Sequence, residues 1–84
     1  MKFKKLIGKT YMLNRMVRIY LDNENVYSNW LPVGYSKEGV KEYYGNPSKI
    51  DRDFYDSVIE KYSNKNVEDI DLPDKTIVII ELTS

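Results

Sequence analysis

The stretch Thr76-Ile77-Val78-Ile79-Ile80-Glu81-Leu82 decides how this chain is read. Four β-branched aliphatic residues stand in an unbroken row, and Pro73-Asp74 just ahead of them argues for a strand over a buried helical segment. In a strand, Ile77 and Ile79 point to one face and Val78, Ile80 and Leu82 to the other, so both faces ask for cover. The expected element is a central strand, with the rest of the chain packed around it.

Immediately before it, Glu68-Asp69-Ile70-Asp71-Leu72-Pro73-Asp74 reads as an acidic connector, and Leu72-Pro73-Asp74-Lys75 suits a type I turn. Further back, Ile50, Phe54, Val58 and Tyr62 recur every four residues, flanked by Tyr55 and Ile59, which predicts an amphipathic helix lying across a sheet. Ser48 and Asp51 have the spacing of a capping box. Asp51 and Asp53 sit at the positive end of the helix dipole and Lys61 and Lys65 at the negative end, with Arg52 and Asp56 spaced for an i,i+4 pair. Residues 36–44 read as a shorter helix capped by Ser36 and ended by Gly45, weakened by about 1 kcal/mol by Gly39.

In the first third of the chain, Val17, Ile19 and Leu21 alternate with Met16, Arg18 and Tyr20, so 15–21 is expected to be a strand. A polar turn at Asp22-Asn23-Glu24-Asn25 leads into a second strand over 26–31, making a hairpin that Pro32 ends. Residues 2–7 alternate loosely, and Gly8-Lys9 fits either the turn of a hairpin running on to Tyr11 and Leu13 or a bulge in one strand. The expectation is one α+β domain over residues 1–84: a small antiparallel or mixed β-sheet, in the order β-β-β-α-α-β, with one short and one longer helix on one face. The second face of the last strand then needs cover from the segment around Trp30 to Val33, from a second copy in a homodimer, or from a partner.

Composition narrows the function. At 84 residues the chain has room for one core, and 42% hydrophobic with 31% charged residues is the balance of a folded protein. It holds no Cys and no His, which removes disulfides, the usual zinc sites and the Ser-His and Cys-His nucleophile pairs. An enzyme would have to work through carboxylates, Lys or Tyr, so a non-catalytic protein with no cofactor and no metal is expected. The apolar run after Lys2, Lys4 and Lys5 is too short for a signal peptide, and no segment approaches a membrane span, so a cytoplasmic location is expected.

Net charge is zero but unevenly laid out. Residues 1–21 hold six of the 13 bases and none of the 13 acids, a balance of +6, which leaves −6 for the remainder. If the two parts separate in space, one surface attracts phosphates or acids and the other attracts bases.

Four motifs carry candidate chemistry. Gly8-Lys9-Thr10 is only the tail of a phosphate loop, since Phe3 stands where the first glycine belongs. The acids from Glu68 to Asp74 fail the EF-hand spacing, which would put glycine at Asp74 and an acid at Ile80. Lys4, Lys5, Arg15 and Arg18, with Tyr11 and Tyr20, could hold single-stranded nucleic acid by phosphate pairing and base stacking, although the balanced overall charge speaks against it. Eight tyrosines are many for this length; Tyr20, Tyr55 and Tyr62 suit the rim of a core, whereas Trp30, Tyr35, Tyr43 and Tyr44 fall where core demand is weaker.

The reading that emerges is a protein-interaction module whose contact surface uses Trp30, Tyr35, Tyr43 and Tyr44 together with the acids Glu68, Asp69 and Asp71. The Lys, Asn, Ile and Tyr bias is one associated with AT-rich bacteria and their phages. A small regulator or inhibitor from a phage or mobile element, binding a host protein, is the leading expectation. A nucleic-acid-binding module using the basic N-terminal strands is the alternative.

Overall fold

The computed structural model describes residues 1–7, 9 and 15–84. Strand β1 (Met16–Leu21) turns back into β2 (Glu24–Trp30); β3 (Val33–Tyr35) and β4 (Lys41–Tyr43) form a separate hairpin; helix α1 (Lys49–Tyr62) follows, and β5 (Asn66–Asp74) and β6 (Ile77–Thr83) close the chain. The main sheet runs β2-β1-β6-β5. Its two central strands, β1 and β6, are parallel to each other, and both outer pairings are antiparallel, so the sheet is mixed.

The last strand is central, as its residues require. Val78, Ile80 and Leu82 are buried, while Ile77, Ile79 and Glu81 on the other face are half-buried. Parallel pairing sets Val17 beside Val78, Ile19 beside Ile80 and Leu21 beside Leu82, so the β1 and β6 core residues fall on one side. Val58, Ile59 and Tyr62 of α1 reach the same core, as do Leu31 and Val33 on the way into the hairpin. The β1–β2 hairpin is the expected one. Its turn is only Asp22-Asn23, both at positive φ (49° and 70°), which is the backbone twist that two-residue hairpin loops favour.

The chain departs from expectation at four places. Residues 36–44 are not a helix but the turn and second strand of the β3–β4 hairpin. Gly39 takes φ 80°, and Ser36 closes the turn: its N–H donates to the Val40 C=O, its C=O accepts the Gly39 N–H and its hydroxyl accepts the Val40 N–H. A serine that can bond its own turn competes with the helix it would otherwise cap. Among the described residues there is thus one α-helix, and the order is β-β-β-β-α-β-β.

Residues 2–7 form no strand but a 3-10 turn over Phe3–Lys5. Phe3, Leu6 and Ile7 are all buried, and a tight turn is what brings residues three and four apart to one side. The hairpin expected from Gly8-Lys9 to Tyr11 and Leu13 lies mostly outside the described residues. The acidic connector is the strand β5, whose Val67 and Ile70 pack on the core while its acids face water. Its turn sits at Lys75-Thr76, where the Asp74 carboxylate accepts the Thr76 N–H and hydroxyl, two residues later than the type I turn read from Pro73.

Helix α1 starts as expected, with the Ser48 hydroxyl accepting from the Asp51 N–H at 3.2 Å. Its apolar stripe divides. Val58, Ile59 and Tyr62 are buried, but Ile50 is 81% exposed and Phe54 47% exposed, stacked on Tyr27 with ring centroids 6.0 Å apart. Asp56 does not form the expected ion pair with Arg52; it takes Lys41 instead.

Candidate functional site

The face of the main sheet turned away from the core is set by strand register. One row across it reads Trp30, Met16, Ile77, Asp74; the next reads Ser28, Arg18, Ile79, Asp71; the third reads Asn25, Tyr20, Glu81, Asp69. Met16, Tyr20, Ile77, Ile79 and Trp30 therefore make an apolar patch, and among the described residues none of the five belongs to the core or packs against it. Helix, 3-10 turn and hairpin all attach to the opposite side through Phe3, Leu6, Leu31, Val33 and the helix residues.

Charge on this face is skewed. Arg18 stands in the middle row, while Asp69, Asp71 and Glu81 stand on β5 and β6 and Asp74 ends the first row. Asp69 and Glu81 are direct cross-strand partners, an arrangement that costs stability because like charges face each other. Among the described residues the ion pairs are Lys41–Asp56 and Lys49–Asp53, so Asp69, Asp71 and Glu81 form none there. Asp74 differs from them. Its two hydrogen bonds from Thr76, with the charge of Arg15 as a lesser contribution, hold its carboxyl below the usual range.

Both sheet edges are blunted. On β2, the Trp30 C=O accepts the Tyr27 hydroxyl at 2.6 Å and the Trp30 N–H donates to the Asn29 side chain at 2.8 Å, so that residue offers no free backbone pair. Burial, with a smaller contribution from Tyr55, pushes the Tyr27 phenol up to about 12, so it remains a donor across the physiological range. On β5, register shifts around Glu68 and between Asp71 and Asp74 interrupt the strand, and its start is paired with Lys2. Bulges, acids and Pro73 are devices that discourage a further strand from adding. Strand addition is disfavoured at these positions.

A second cluster ties the hairpin to the helix. Lys41 Nζ lies 2.8 Å and Tyr43 Oη 2.6 Å from the same Asp56 oxygen, and the Arg52 guanidinium lies 5.8 Å from the Tyr43 ring centre. The hydrogen bond from Lys41, then that from Tyr43, holds the Asp56 carboxyl below its ordinary value. The same carboxylate holds both the Lys41 and the Tyr43 values up. A phenol held up stays protonated at neutral pH, leaving little phenolate to act as base or nucleophile, so this cluster acts as a clasp and not as an activated group.

Of the residues singled out in the sequence, the structure brings Trp30, Arg18, Asp69 and Asp71 onto one face. Glu68 falls at the β5 register shift. Tyr35, 41% exposed, and Tyr44 lie on the hairpin, and Tyr43 is spent on the clasp. Lys4 and Lys5 lie in the 3-10 turn, where the Lys4 N–H bonds Ser63 just past α1, on the helix side of the sheet and away from Arg18. Arg15 immediately precedes β1. Met16, Ile77, Ile79 and Glu81 were not singled out as contacts, although the two-sided apolarity of 76–82 was the signal for Ile77 and Ile79; Tyr20 was named as a contact only for base stacking on nucleic acid.

Two surface grooves compete as sites. One, about 230 Å³, lies between β2 and α1 over Tyr27, Phe54 and Val58; the other, about 370 Å³, lies beside Tyr43, Pro47 and Arg52. The first falls below the size range of small-molecule pockets, and the second abuts the clasp without a free titratable group of shifted pKa. Among the described residues no group of His, Cys, Asp or Glu is placed to hold a metal ion, and no helix is long and apolar enough to cross a membrane. The fold and the face together define a small mixed-sheet α+β domain with an apolar, acid-edged sheet surface. Compared with known protein families, curated proteins and solved structures, the chain matches none of them.

Proposed function

We propose that the protein is a non-catalytic interaction module that binds a macromolecular partner through the outer face of its main sheet. The observation that carries this reading is the placement of Met16, Tyr20, Ile77, Ile79 and Trp30 on one face, outside the core, inside a polar rim. An apolar centre with charged residues at its margin is the anatomy of a protein contact, and Trp and Tyr are its usual anchors. Apart from Tyr27, raised by burial, the titratable groups whose values shift are held in clasps and turns, which supports binding over chemistry. A small regulator or inhibitor that acts by covering a partner's surface fits such a module. The nucleic-acid alternative draws less support, because acids stand on the β6–β5 side of Arg18 and Lys4 and Lys5 lie on the other side of the sheet.

The test is affinity capture from a bacterial lysate, with nuclease present, using the wild type, Ile79→Arg and the hairpin control Lys37→Ala. The reading expects a partner retained by wild type and control and lost by Ile79→Arg with its circular dichroism unchanged. Equal capture by all three, or capture that vanishes with nuclease, overturns it.

A further inference from the structure

The outer sheet face also specifies the chemistry of what would cover it, an inference that rests on its being the binding surface. Across the face, neutral Trp30, Ser28 and Asn25 on β2 give way to Arg18 on β1 and then to Asp69, Asp71 and Glu81 on β5 and β6. Asp69 and Glu81 repel each other as direct neighbours, and among the described residues neither forms an ion pair. This like-charged pair lies at the margin of the apolar patch and not out on a loop. A basic group arriving from outside would relieve the repulsion at the moment the apolar centre is covered.

From this we infer that the occupant is a protein segment with alternating apolar and basic residues, seating its apolar side chains on Met16, Ile77 and Ile79 and its Lys or Arg groups against Asp69, Asp71 and Glu81. A second copy of the chain fits less well. Each face carries Arg18 against Asp69, Asp71, Asp74 and Glu81, so two copies placed face to face would bring together surfaces of the same net sign. A nucleic acid is repelled by the same acids.

The test uses the ¹⁵N-labelled full chain titrated with two synthetic hexapeptides, one alternating Leu and Lys and the other alternating Leu and Glu, followed by NMR. The expected result is that the Leu–Lys peptide shifts the Trp30 indole and the amides of 69–71 and 77–81, with at least tenfold higher affinity than the Leu–Glu peptide. That preference should shrink with added salt and disappear in the Asp69→Asn, Glu81→Gln double variant. If both peptides shift the face equally, the face remains a docking surface but the basic occupant is wrong. If the face broadens with protein concentration before any peptide is added, its occupant is a second copy and the inference fails. If neither peptide perturbs the face, both this inference and the binding surface beneath it are overturned.

Discussion

The two faces of β1 and β6 are built from nearly the same residue types and sit in different surroundings. On one, Val17, Ile19, Val78 and Ile80 have no exposed surface at all. On the other, Met16, Ile77 and Ile79 are half-buried between neighbours on the sheet and end at Trp30, 44% exposed. The difference lies in what the chain places over each face. Helix α1, the 3-10 turn and the crossing at Leu31 to Val33 all converge on the first. One face therefore carries the packing that holds the fold together, and among the described residues none of these elements covers the other.

The sharpest way to break this comparison is to truncate adjacent isoleucines on the same strand. Ile80→Ala should cost about 3 kcal/mol, because it removes buried methyl groups and leaves a cavity. Ile79→Ala should cost less than about 1 kcal/mol, since its side chain already meets water. Urea unfolding followed by circular dichroism measures both, and equal losses would mean that the outer face is packed like a core.

A smaller effect is expected where a side chain seals the sheet edge. Tyr27→Phe keeps the buried ring and removes the hydroxyl that donates to the Trp30 carbonyl, for a loss of about 1 kcal/mol. Hydrogen exchange at Asn29 and Trp30 should rise more than at β1.

The clasp gives the comparison a pH axis. Because the folded Asp56 value is held down, its contribution is present above the ordinary value of 3.8 and is lost as pH falls through the lower folded value. Lys41 and Tyr43 are held up, so their contribution is present below their ordinary values and is lost as pH rises through the raised ones. Asp56→Asn should cost about 1 kcal/mol at neutral pH and flatten the acid limb of the stability curve, with resonances of residues 41–43 affected first. An unchanged acid limb would remove Asp56 as its source.

The smallest effect has the opposite sign. Glu81→Gln relieves its repulsion with Asp69 and should stabilise the protein by a few tenths of a kcal/mol, a gain that shrinks in high salt. Destabilisation would show that the pair is compensated in a way the register does not reveal.

How much of this could be read from the chain follows from which signals are local. The central strand was legible because four β-branched residues in a row leave little alternative, and the β1–β2 hairpin because its alternation and polar turn agree. Helix α1 announced itself by its i+4 stripe and Ser48 cap, but burial of only half that stripe depends on where the sheet ends. Residues 36–44 misled because Ser36 and Gly45 are helix punctuation in isolation, whereas Gly39 and the Ser36–Val40 bonds make a turn once β3 and β4 meet. In β5 the acids masked the strand: among the described residues Val67 and Ile70 are its core contacts, three apart because a bulge breaks the alternation.

For the site, Trp30, Asp69 and Asp71 were found from residue type alone. That they share a face with Arg18 is a matter of strand order, which no local pattern encodes. The same strand order separates them from Tyr35 and Tyr44.

The most direct test is urea unfolding of Ile79→Arg, which places a charge at the centre of the outer face. The two-face account predicts a cooperative transition with an unchanged slope and a loss below about 1 kcal/mol. Loss of the cooperative transition would contradict it, showing that this face too is interior to the fold.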